Sequence, residues 1–307
     1  GLLAMLVSAV SGYPGGPVAA GALLLLYAAL LWHRPASWLF VVPAVLPVID
    51  FAPWTGWMYI DELDFVLAVT VIVVAWRLPR SEKANLTPGV GALLGVLSMA
   101  WFFSLLLGVL PLEDYQKSLL GNYYTKYNAL RVAKGYFWML LLWPLARRTA
   151  GPNLANLERW FFPGVLAGVV GLGLVVLWER AAFVGLADFS SPHRITALFS
   201  SMHVGGGAID GYLALSVPFT WWLISRFDSP ARSLLGLGIF ALGAYTIVVT
   251  FSRGLYAGFV ASLLILAFAQ FGTAARERSL GFGRFVFGAV LLVILAALFA
   301  RVFAHGG

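Results

Sequence analysis

Residues 88–110 read PGVGALLGVLSMAWFFSLLLGVL, without one Asp, Glu, Lys or Arg. A helix rises about 1.5 Å per residue and the hydrocarbon core of a bilayer is about 30 Å thick, so a run of this length crosses it. Further mainly apolar stretches lie on both sides, at 17–33, 36–52, 62–77, 129–147, 159–178, 206–224, 233–250, 254–271 and 285–303. The expected fold is therefore all-α, a polytopic transmembrane bundle of about ten spans. Residues 1–11 are apolar too, begin at Gly1 without an initiator Met or a basic flank, and read as the remnant of an earlier helix. The expectation for 1–307 is a single integral membrane domain, incomplete at both ends.

Composition agrees with that reading. Of 307 residues, 61% are hydrophobic and only 11% charged, with a mean hydropathy of +0.89. Soluble domains are about 25% charged. An ordinary soluble enzyme, a disordered chain and a fibrous repeat are excluded. Cysteine is absent, which excludes disulfides, thiolate metal sites and a cysteine nucleophile. Lys and Arg number 20 against 13 Asp and Glu, yet no basic run occurs. The excess is assigned to membrane topology, and no nucleic-acid partner is expected.

Loop charges set the sides. One alternating set of loops holds Arg34; Arg77, Arg80 and Lys83; Arg147, Arg148 and Arg159; Arg226 and Arg232; and Arg276, Arg278 and Arg284, against only Glu82, Glu158, Asp228 and Glu277. Basic residues gather on the cytoplasmic side. The other side then carries the outer loops, above all 111–128 and 179–205. Gly164, Gly168 and Gly171 on one span are read as sites of close helix packing. No inverted internal repeat is visible, which counts against a secondary transporter.

The candidate chemistry lies on the outer side. Arg194 has no acid close in sequence, and a guanidinium forks onto phosphate oxygens. His203 precedes Gly205, Gly206 and Gly207, which open a span with exposed backbone N–H groups at a helix N-terminus, a natural anion site. Asp210, in the first turns of that span, is a partner for one of the outer arginines. Arg253 sits between two spans with almost no loop, at a depth where arginines face a polar cavity or a partner. Lys117, Tyr123, Tyr124 and Lys126 give the 111–128 loop the rings, charges and amides that suit sugars, or equally an interfacial belt. Arg131 and Lys134 are expected to snorkel to the same outer surface. No metal-ligand spacing surrounds His203, so neither a metal nor a cofactor is expected. Two arginines with a glycine-rich helix entrance fit an anion presented from the outer leaflet, best a lipid-linked diphosphate.

Two segments carry a resemblance. Arg194-Ile195-Thr196-Ala197-Leu198-Phe199, followed by the helix Tyr212-Leu213-Ala214-Leu215-Ser216-Val217-Pro218, and Thr250-Phe251-Ser252-Arg253-Gly254 resemble the superfamily of lipopolysaccharide O-antigen ligases and O-antigen or exopolysaccharide polymerases. Ser200-Ser201-Met202-His203 departs from the Asn-Pro-Asn-like segment common in that superfamily. The family's usual catalytic His is expected beyond Gly307. The resemblance implies a metal-independent glycosyl transfer from an undecaprenyl-diphosphate-linked glycan donor to a saccharide or lipid acceptor. It implies a place among the lipids of the bacterial inner membrane, with the active site facing the periplasm. Arg194 and Arg253 would hold the diphosphate, and His203, chosen from the residues alone, would serve as base. The rival expectation is a transporter or flippase for an anionic lipid-linked or small solute, using the same arginines without chemistry.

Overall fold

The structure is a computed structural model that describes residues 1–51, 60–78, 88–111, 125–150, 154–189, 193–199, 207–225 and 230–277. Its elements are α1 (Leu2–Ser11), α2 (Pro17–His33), α3 (Trp38–Val45), α4 (Glu62–Arg77), α5 (Pro88–Val109), α6 (Asn128–Thr149), α7 (Phe162–Phe183), α8 (Gly207–Ser216), α9 (Thr220–Ser225), α10 (Pro230–Val249) and α11 (Arg253–Glu277). No strand occurs among the described residues. The expected span 285–303 lies outside them.

Local chemistry explains the boundaries. Pro17 starts α2 after Gly16, whose φ of 107° needs glycine, and Arg34-Pro35 stops it. Asp61 caps α4 through a reciprocal box: its carboxylate accepts the Asp64 N–H at 3.0 Å, and Asp64 accepts the Asp61 N–H at 2.9 Å. Two expected spans are interrupted. In place of a single helix over 36–52 there is a 3-10 turn at Pro35–Ser37 and the 8-residue α3. The helix passes through Pro43 and stops at Val45, ahead of Pro47, which lacks the N–H that would carry the ladder on. The stretch 206–224 is likewise split into α8 and α9 by a 3-10 turn, Val217–Phe219, at Pro218. The Thr220 hydroxyl donates to the Val217 carbonyl at 2.7 Å, taking up an acceptor the break leaves over.

Three of the described helical stretches are long and apolar enough to cross a membrane: Pro88–Val109, Leu157–Phe183 and Ala231–Val249. The first has no buried residue. Met99 and Phe103 on it are 74% and 64% exposed. The helix packs against α6 through the Ser98–Tyr136 hydrogen bond at 2.9 Å and the stacked Trp101 and Tyr136 rings, and its remaining apolar surface is suited to hydrocarbon, where the backbone is satisfied internally. The other described helices fall short in length or carry more charge, α2 and α4 having 17 and 16 residues.

The chain divides into two compact units. The first is Gly1–Val42 with Ile49–Trp160. In it α2 and α4 run parallel. Tyr27 and Thr70 share a hydrogen bond of 2.7 Å midway, and Arg77 Nε donates to the Trp32 carbonyl at 3.0 Å near their C-termini. The second unit takes Pro43–Val48 and the described residues from Phe161 onward. Its core gathers Val169, Leu172 and Val176 of α7, Ile209 and Leu213 of α8, Ile247 of α10 and Phe259 of α11.

Glycines set the closest approaches in the second unit. A Cβ at Gly168 would lie 2.5 Å from the Pro43 carbonyl oxygen and would also strike the Tyr212 hydroxyl. At Gly171 it would be 3.1 Å from Val48 Cγ1. This is the close packing that the glycines of this span suggest. Backbone cannot give way as a side chain does, so Gly168→Ala should cost roughly 1–3 kcal/mol. Gly238→Ala meets nothing within 4 Å and should be neutral or gain up to about 1 kcal/mol from helix propensity. Thermal unfolding of the two purified variants checks the contrast; equal midpoints would refute it.

Candidate functional site

The last turn of α7 builds a polar site in the second unit. The helix runs to Phe183, so Glu179 and Arg180, the first residues of the stretch 179–205, are helical. The Glu179 carboxylate is buried and accepts the backbone N–H groups of Thr196 at 3.3 Å and Ala197 at 2.8 Å. His193 Nε2 stands 3.5 Å from the same carboxylate. Ala197 is held at φ 49°, a left-handed conformation costly for a residue with a Cβ. Ile195, fully buried, anchors the same segment in the core.

Arg194 lies inside this fastened segment. Its Nη2 donates to Asp210 Oδ2 at 2.6 Å. Asp210 sits in the first turn of α8, where the helix dipole favours a carboxylate. The structure thus joins two of the sequence candidates. The pair leaves capacity over: Arg194 Nε and Asp210 Oδ1 are buried without a hydrogen-bond partner among the described residues.

Arg253 opens α11. Ser252 is its N-cap, the hydroxyl accepting the Leu255 N–H at 3.3 Å. The turn into it places Phe251 at φ 53°. The Arg253 side chain is exposed, and among the described residues no carboxylate lies within ion-pair distance of it. Ile195 and Leu255 belong to one buried cluster with Ile209 and Val249, so the Arg194 and Arg253 segments flank the same apolar core. They also lie at one end of the unit. The Tyr245 hydroxyl, near the C-terminus of α10, donates at 2.8 Å to the Leu186 carbonyl just past α7.

Of the remaining candidates, Gly207 is the first residue of α8. His203, Gly205, Gly206, Lys117, Tyr123 and Tyr124 lie outside the described residues. Lys126 belongs to the first unit, where its Nζ donates to the Pro111 carbonyl at 3.3 Å. It borders a cavity of about 350 Å³ with Trp101, Thr125 and Asn128.

The first unit also holds a charge network that sequence reasoning missed. Lys134, expected only to snorkel, has carboxylate partners: its Nζ contacts Asp61 Oδ2 at 2.6 Å and Asp64 Oδ2 at 2.7 Å. Trp138 Nε1 donates to Asp64 Oδ1 at 2.6 Å. Nearby, the Tyr13 hydroxyl donates to Glu62 Oε1 at 2.5 Å, and the Phe51 N–H to Oε2 at 3.1 Å. Burial, reinforced by the Glu62 hydrogen bond and charge, holds the Tyr13 phenol above its ordinary range, so it remains a donor. Arg131 Nε donates to Asn128 Oδ1 at 2.8 Å on its own helix. The available signal was the Asp61/Asp64 pair at a helix start, since acids near a membrane need a cation and Lys134 is a charged residue near the start of a neighbouring helix.

Compared with known proteins, the chain matches no family model, no curated protein and no solved structure.

Proposed function

We propose that this chain is a multi-pass membrane protein of about ten spans that transfers a glycan from a lipid-linked diphosphate to a saccharide or lipid acceptor, as polysaccharide polymerases and O-antigen ligases do. One observation carries the reading: the segments of Arg194 and Arg253 flank one apolar core at the same end of the second unit. A membrane-embedded donor with an anionic head needs this combination of cations and apolar surface. In the reaction, the acceptor oxygen bonds to the anomeric carbon as the bond to the diphosphate breaks. The guanidinium groups neutralise charge building on the departing diphosphate. His203 is assigned as the base that takes the acceptor proton. The donor is assigned as undecaprenyl diphosphate, and the arginines as facing the periplasm from the inner membrane.

The break between α8 and α9 at Pro218 supports the rival reading, because discontinuous helices are common at transporter binding sites. Deletion of the gene separates the two. Loss of long surface glycan with accumulation of lipid-linked repeats on the outer leaflet supports transfer; accumulation on the inner leaflet supports a flippase. Orientation has its own test in this Cys-free chain. With an impermeant thiol reagent on spheroplasts, Ser190→Cys should label and Ser81→Cys should stay protected. The reverse pattern overturns the assigned sides.

A further inference from the structure

We propose that Arg180 is a third anion-binding guanidinium, placed at the end of α7 to take a phosphate-type oxyanion; this rests on the lipid-diphosphate reading and deepens it. Arg180 is 0% exposed. Nη2 donates to the Asp188 carbonyl, and the Phe189 ring centroid lies 6.0 Å from the guanidinium carbon. Nε and Nη1 have no hydrogen-bond partner among the described residues. No carboxylate among those residues lies within ion-pair distance of it. Glu179, next to it in the chain, is engaged elsewhere, accepting from Thr196 and Ala197.

A guanidinium is not deprotonated in proteins, so this is a buried positive charge with unspent donors. Fastening the 184–189 loop uses one donor to one carbonyl and needs neither the charge nor the other N–H groups. An apolar side chain of similar volume would remove the burial cost altogether. An oxyanion answers both features at once, since its charge neutralises the cation and its several lone pairs accept from Nε and Nη1. The location fits, because Arg180 directly follows Glu179, the residue that fastens the Arg194 segment.

The test is thermal unfolding of the full chain in nanodiscs, with inorganic pyrophosphate or a short-chain polyprenyl diphosphate, for wild type, Arg180→Met, Arg180→Lys and Arg194→Lys. Wild type should gain midpoint temperature with the polyprenyl diphosphate. A gain with pyrophosphate as well would place recognition in the free headgroup, and its absence would show that the lipid chain is required. Without anion, Arg180→Met should unfold at or above the wild-type midpoint; with the binding probe its apparent affinity should fall at least tenfold. If Arg180→Met fails to fold, Arg180→Lys decides, since it keeps charge and reach but loses the fork. Wild-type affinity in either folded Arg180 variant overturns the inference and leaves Arg180 a loop fastener. If those variants bind normally while Arg194→Lys does not, the lipid-diphosphate reading stands without Arg180. If wild type responds to neither probe, the reading and the inference fail together.

Discussion

Lys134→Met is expected to destabilise the first unit by about 3 kcal/mol, the low end for removing one member of a charge cluster, since this one is partly buried. Lys134 holds Asp61 and Asp64 at 2.6 and 2.7 Å, with side-chain exposures of 26%, 23% and 10% for the three. Without the ammonium, two carboxylates remain side by side at the start of α4, one of them also bound to Trp138. At roughly 2–4 °C per kcal/mol for a unit of this size, the thermal midpoint should drop by about 6–12 °C. Adding Asp61→Asn and Asp64→Asn to Lys134→Met should recover most of the loss, because the amides still accept and carry no charge. An unchanged midpoint in Lys134→Met, or no recovery in the triple variant, would show that the network is a solvated surface feature.

Arg194→Lys and Arg253→Lys should each lower glycan transfer at least tenfold. A charge-assisted hydrogen bond contributes roughly 1.5–3 kcal/mol, and about 1.4 kcal/mol is a factor of ten in rate. Lysine keeps the charge but cannot reproduce the planar fork. The two substitutions should differ in their side effects. Arg194 is paired with Asp210 at 2.6 Å in a partly buried site, so its loss should also lower the thermal midpoint. Arg253 is exposed and has no carboxylate within ion-pair distance among the described residues, so Arg253→Lys should fold like wild type. If both touch one diphosphate, the double variant should lose less than the product of the single losses, as residues acting as a unit do. Fully multiplicative losses would place the two arginines on separate tasks.

Much of the helical framework was legible because hydropathy and helix stops coincide. The stretch 17–33 became α2 to the residue, since Gly16-Pro17 starts a helix and Arg34-Pro35 ends one. The same holds for 62–77, which opens on the Asp61 cap. The interruptions before Pro47 and at Pro218 were blurred because an apolar window averages over a single missing N–H. Glu179 and Arg180 looked like the first loop charges after an apolar run. Their role in the helix end depends on partners that periodicity cannot register: Glu179 bonds to backbone 17 and 18 residues away. Lys134 was assigned to the interface for the same reason, its acids lying 73 and 70 residues earlier. The Arg194–Asp210 pair was legible as two opposite charges at one predicted side, but the fastening of its segment by Glu179 was not.

The most direct test reconstitutes the purified wild-type chain in liposomes with a polyprenyl-diphosphate-linked oligosaccharide and an acceptor glycan, and follows the donor's diphosphate bond. Glycan lengthening of the acceptor with stoichiometric release of polyprenyl diphosphate, both lost in Arg253→Lys, is the expected result. Movement of intact donor between leaflets with no cleavage would contradict transfer and leave a flippase.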